Sequence, residues 1–176
     1  MDWVLITYRL PAEPSRHRVA VWRELRRLGA LSLQQATWAL PARGDLLEAL
    51  AKVAGLVDAA GGEAFTFDAR TRDDASGARL EELFTEERQE EWTEFVSECG
   101  KFDEEIDKEI RKRKFTAAEL DEEEQNLEGL RRWFRDLRRR DVFVAPSQAE
   151  AERRLKQCEQ RLEEFEARVY DHGGRR

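Results

Sequence analysis

Residues 15–28 hold Arg16, Arg18, Arg23, Arg26 and Arg27 against a single acid, Glu24, so one helical length carries a formal +4. Guanidinium groups at this density suit anion binding: backbone phosphates, a small oxyanion or an acidic partner. At about 100° per residue, Arg16, Arg23 and Arg27 fall within about 40° of one another, opposite Val21, Leu25 and Leu28. That row is either a phosphate-contacting surface or a solvated face that keeps arginine off the core. Arg18 projects about 200° around from Arg16, on the side of Val21 and Leu25. An unpaired buried charge is costly, so Arg18 is expected either to anchor structure through carboxylates and carbonyls or to donate to a bound oxyanion.

The remaining candidates are poorer. Cys99 and Cys158 each sit on an apolar helical stripe, where a free cysteine acts as a small hydrophobe, and the two can face each other. His17 follows a helix start and His172 lies near the end of the chain, neither beside a nucleophile. Two cysteines and two histidines are too few for a zinc cluster. No glycine-rich phosphate loop, Gly-x-Ser-x-Gly elbow or His-Glu-x-x-His pair is present. The acidic runs Asp73-Asp74 and Glu122-Glu123-Glu124 read as solvated faces. Trp3 begins an apolar run, and Trp22 and Trp38 fall on predicted core faces; stacking against bases would need exposed rings. Neither enzymatic machinery nor a metal or cofactor site is expected.

The elements that would position these residues follow from the pattern. Trp3-Val-Leu-Ile-Thr-Tyr8 is apolar on both faces and reads as a central strand stopped by Pro11 and Pro14. Ser15 can cap a helix from Arg16 to Leu28 that Gly29 ends. Leu31 to Leu40 gives two short strands around Gln34-Gln35, or one bent strand, since the turn lacks Asn-Gly chemistry. Asp45 can cap a second helix through Val57, ended by Gly61-Gly62, and Glu63 to Ala69 alternates as a last strand. The order βαββαβ is the ferredoxin-like one, with two helices on one face of a four-stranded antiparallel sheet, so the class is α+β.

Beyond this, apolar residues recur every three or four positions: Phe95, Cys99, Phe102, Ile106 and Ile110, then Leu120, Leu127, Leu130, Phe134 and Leu137. A third stripe runs through Ala151, Leu155, Cys158, Leu162, Phe165 and Val169. Thr116 and Glu119 form a capping box, and Pro146, Ser147 and Glu150 mark a further helix start. Three long helices with short connections make an antiparallel bundle or arm. The predicted organisation is a domain over 1–72, a linker over 73–79 and a helical region over 80–173.

Of the 176 residues, 39% are charged, and the net charge of −7 is uneven. Residues 1–72 hold 10 Lys/Arg against 8 Asp/Glu, while residues 73–176 hold 21 against 30. The acid therefore belongs to the second part and does not by itself exclude nucleic acid. No apolar run reaches the roughly 18 residues of a membrane span, and Met1-Asp2-Trp3-Val4 is no signal-peptide start. A cytoplasmic protein with reduced thiols and no membrane partner is expected.

The block from Tyr8 to Ala30, in which Leu10-Pro11 is followed by Arg18-Val-Ala-Val-Trp22, resembles the opening of the ChrB N-terminal domain family of chromate-resistance regulators. The likeness continues through Leu33-Gln-Gln35, Trp38-Ala-Leu-Pro41, Gly61-Gly-Glu-Ala64, Glu98-Cys99, Lys114-Phe-Thr116, Leu130-Arg-Arg-Trp-Phe134 and Arg140-Asp-Val-Phe143. The resemblance implies a bacterial cytoplasmic transcriptional regulator, with promoter DNA as partner and chromate as effector. In such a regulator the basic first helix is expected to meet DNA, with Arg16, Arg23, Arg26 and Arg27 as contacts and a homodimer to supply two symmetric ones. Regulators of this type are longer and carry a second, C-terminal domain associated with the chromate response. More distantly, the βαββαβ unit is similar to small CRISPR-adaptation nucleases. Those place an aspartate at the end of the first strand, where this chain has Thr7-Tyr8-Arg9-Leu10. A protein-interaction module of the same resistance system, binding no DNA, is the competing expectation.

Overall fold

The computed structural model describes residues 2–173. Its elements run β1 (Trp3–Arg9), α1 (Ser15–Leu28), β2 (Leu31–Gln34), β3 (Thr37–Pro41), α2 (Gly44–Ala59), β4 (Glu63–Ala69), α3 (Asp74–Lys112), α4 (Ala117–Arg140) and α5 (Gln148–Gly173). The strands form one antiparallel sheet in the order β2-β3-β1-β4, the ferredoxin-like arrangement expected from the sequence. Leu31 to Pro41 makes two strands, not one bent strand: Ala36 adopts φ 62° in the turn, and a bulge falls between Ser32 and Gln34.

Period-2 alternation puts Val4, Ile6, Trp38 and Leu40 on one face of the sheet. There they pack with Val21, Leu25 and Leu28 of α1 and with Leu46, Leu50, Val53 and Val57 of α2. Both helices therefore cover the same face. Gly29 ends α1 in the left-handed conformation, φ 74°, which glycine adopts without a Cβ penalty. Gly62 is fixed by space instead: a Cβ there would lie 2.3 Å from the Arg9 carbonyl oxygen and 2.9 Å from Val57 Cγ1.

Several helix starts differ from expectation. Pro14, not Ser15, occupies the N-cap of α1, with extended backbone and no side-chain cap; Ser15 is already helical. Arg43 is the N-cap of α2, and Asp45 lies in its first turn, paired with Arg43 at 3.3 Å. Thr116 does cap α4, accepting from Glu119 N at 3.3 Å, but the Glu119 carboxylate reaches Lys114 at 3.0 Å. The polar stretch read as a linker over 73–79 is mostly helix, because α3 begins at Asp74. Asp73 supplies the reason: its carboxylate accepts from Ser76 N at 2.7 Å and Ser76 Oγ at 3.0 Å, capping the new helix.

The chain divides into two compact units, the first ending at Glu87 and the second starting at Arg88. The first unit takes in the beginning of α3, where Phe84 meets Trp3 edge-on at 6.0 Å. The second is a three-helix unit whose core holds Trp92, Phe95, Ile106, Leu127, Phe134 and Phe165, among others. Arg140 pairs with Glu91 and Arg131 with Glu159, while Asp103 meets Arg154 and Asp107 meets Arg161. These pairs run α4 against both neighbours and α5 alongside α3, an up-down-up bundle. Asp141 secures the α4–α5 connection, accepting from the Trp92 indole N–H at 2.7 Å and from Ala145 N at 3.0 Å.

Candidate functional site

Helix α1 owes its position to one apolar stripe. Val21, Leu25 and Leu28 are buried on the sheet, which leaves the rest of the circumference to arginine. The structure divides the five arginines into two rows. Arg16, Arg23 and Arg27 lie on the outward row, all exposed. Arg27 is already committed there, gripping Glu24 with two hydrogen bonds of 3.0 and 2.5 Å, and its guanidinium holds the Glu24 carboxyl below the usual carboxylate range. Arg16 and Arg23 make no ion pair among the described residues.

The second row departs from the sequence expectation. Arg18, Trp22 and Arg26, spaced i, i+4, i+8, line an open groove of about 660 Å³ between α1 and the β2–β3 side of the sheet. Tyr8, Leu10, Ser32, Gln35, Ala36 and Trp38 complete its wall and floor. Arg18, expected to turn inward as an anchor or to meet an oxyanion, is exposed and has no ion pair among the described residues. Arg26, grouped from the sequence with the DNA contacts, falls in this second row, with Glu87 at 3.8 Å.

Trp22 corrects the sequence reading outright. Its pattern predicts a core face, yet it is 50% exposed. The reason is its azimuth: it stands about 100° from Val21, at the margin of the buried stripe, and its ring forms a groove wall instead of a core wedge. The condition that stacking requires, an exposed ring between guanidinium groups, is thus met at this position. Trp38, on the groove floor, is only 5% exposed, and its buried indole N–H has no hydrogen-bond partner among the described residues. The spacing Arg-x-x-x-Trp-x-x-x-Arg is the sequence signal for this row. It is masked because tryptophan defaults to the core.

Elsewhere, Cys99 and Cys158 do face each other, fully buried, with Cys158 Sγ donating to the Cys99 carbonyl at 3.6 Å. The neighbouring Cys99 sulfur and burial together push the Cys158 thiol up, away from the thiolate form. Glu123 corrects the solvated reading of the 122–124 run: it is 2% exposed, and burial raises its carboxyl above the ordinary value. Among the described residues no group of three or more His, Cys, Asp or Glu is placed to hold a metal ion. No helix among them is long and apolar enough to cross a membrane.

Fold and groove together define a ferredoxin-like α+β protein with a basic, aromatic-bearing first helix and a three-helix unit after it. A family model described as Protein ChrB, N-terminal, matches residues 18–175, and the chain belongs to that family. Membership associates it with chromate resistance. The match begins at Arg18, inside the basic helix, and continues through all three long helices. No curated protein matches the chain.

Proposed function

We propose that the chain is a DNA-binding regulator of chromate resistance that contacts backbone phosphates through α1 and acts as a homodimer. The observation that carries this reading is the exposed surface of α1. There Arg16, Arg18 and Arg23 have no ion pair among the described residues, and Trp22 stands open between Arg18 and Arg26. Exposed cations on a rigid helix are pre-organised for phosphate oxygens, which position a protein on a duplex without reading its sequence. The role of Arg16 and Arg23 is backbone contact; Arg18 and Arg26 flank the ring and take an oxyanion or a sugar-phosphate edge entering the groove. Chromate is an effector in this reading, and its sensing belongs to the second domain that regulators of this type carry.

The test is anisotropy of a labelled promoter duplex titrated with the full chain at low salt. An Arg16→Ala/Arg23→Ala variant is expected to bind about a hundredfold more weakly, as loss of two charged contacts of about 1.5 kcal/mol each requires. Unchanged affinity removes the outward row from the site. A second reading, an interaction module that binds no DNA, is favoured by the outer face of the sheet, where Phe65 and Phe67 are exposed. Absence of binding to any duplex at low salt selects it.

A further inference from the structure

We infer that the outer edge of β4 is a self-pairing surface, joining two copies of this chain into one continuous antiparallel sheet about a two-fold axis at Thr66. The inference rests on the homodimer of the proposed function and specifies its interface.

Strand β4 pairs only with β1 among the described strands, so its other edge presents unpaired backbone N–H and C=O groups over seven residues. Natural edges of this length are commonly shielded by lysine, proline, a bulge or an inward-pointing charge, and β4 has of these Asp68 alone, next to its last residue. Glu-Ala-Phe-Thr-Phe-Asp-Ala has no lysine or proline, and its ladder with β1 is regular from Trp3–Ala69 to Arg9–Glu63. Phe65 and Phe67 are 48% and 52% exposed on the outer face, next to Thr7 and Leu5 of β1. On the other face, Leu47, Ala51 and Ala54 of α2 form a shallow apolar groove with Thr66 and Asp68, about 370 Å³, so an added strand finds a shelf as well as a ladder.

The sequence of β4 selects a second copy of itself as the occupant. Antiparallel pairing centred on Thr66 sets Phe65 opposite the partner's Phe67, Ala64 opposite the partner's Asp68, and Glu63 opposite the partner's Ala69. Every aromatic meets an aromatic, every acid meets an alanine, and all seven residues pair. Cross-strand aromatic pairs of this kind stabilise a sheet, and like charges directly opposite destabilise it. Moving the axis to Asp68 sets acid against acid, and moving it to Phe65 sets Glu63 against an aromatic. A one-residue slip in the pairing would send the phenylalanines of the two copies to opposite faces. The contact is isologous and closes at two copies.

Sedimentation of the full chain tests this, with circular dichroism as the folding control; both side chains are half-exposed, so the variants are expected to keep the parent's helical spectrum and a cooperative melt, at a midpoint lowered by the loss of the dimer's stabilisation. The parent is expected to be a dimer. Phe65→Glu/Phe67→Glu and Phe65→Lys/Phe67→Lys, each placing like charges opposite one another twice, are each expected to be monomers. Mixed in equal amounts, the two are expected to form a heterodimer, because every pair then has opposite signs. A monomeric parent, a glutamate variant that remains a dimer, or a mixture that stays monomeric overturns the proposal. Duplex binding is measured separately, so a dimer that ignores DNA defeats the regulator reading and leaves this interface standing.

Discussion

Glu123 shows how one residue sets a pH dependence. Burial is the main cause raising its proton affinity, with the charges of Glu105, Glu122 and Glu109 acting in the same direction and a hydrogen bond from Asn126 at 3.1 Å opposing them. A carboxyl whose folded value lies above its unfolded one binds its proton more tightly in the folded state. The stability this supplies is full below the unfolded value and is lost as pH rises through the folded one. Glu123→Gln keeps an acceptor for Asn126 and removes the charge. The variant is expected to be more stable than the parent at neutral pH and equal to it below about pH 4, where the carboxyl is protonated in both states. Urea midpoints across that range check it. A triple-glutamate run looks solvated throughout, which hides this residue in the sequence. Helical geometry sends neighbours 100° apart, so one member of such a run can face the core while the others do not. Trp22 is the same effect with the sign reversed.

At the scale of elements, the periodic stripes were legible and the connections were not. Leu127, Leu130, Phe134 and Leu137 repeat at helical spacing and are buried where that spacing puts them. Asp141 could not be read in this way, because its partner Trp92 is 49 positions earlier. It is 5% exposed and satisfies the Trp92 indole N–H and the Ala145 amide, joining the end of α4 to the buried stripe of α3. Asp141→Ala leaves two buried donors without an acceptor, each worth about 1–3 kcal/mol when unsatisfied. The expected loss is about 3 kcal/mol, seen as a lower urea midpoint at unchanged slope. Local caps escape the sequence for a related reason. Ser15 and Asp45 have the right chemistry for an N-cap, but each lies inside the helix it was expected to cap. Asp73 takes that role at a place where the same residue types suggest a linker.

For the whole molecule, the net charge of −7 gives a poor forecast of what α1 can bind. The acid-rich part of the sequence begins at residue 73, but the compact division falls after Glu87, so Asp73, Asp74, Glu81, Glu82, Glu86 and Glu87 belong to the first unit. Counted to Glu87, that unit has 11 Lys/Arg against 14 Asp/Glu, a balance of −3, which leaves 20 against 24, or −4, for the second. The two units are therefore almost equally acidic, and the +4 of α1 is a local feature within one of them. Phosphate contact depends on such local density, because exposed charges more than about 8–10 Å away are largely screened at physiological salt. Binding through α1 releases counterions from the duplex in proportion to the phosphates contacted, with a slope in log affinity against log salt of about −0.9 per contact. The acidic chain is thus expected to lose affinity as salt rises, as a basic protein would. Arg16→Ala/Arg23→Ala is expected to make that slope shallower by about 2, one contact for each arginine. Titrations of the duplex at several salt concentrations measure it; a parent slope near zero, or a slope the double variant leaves unchanged, shows that these arginines do not touch phosphate.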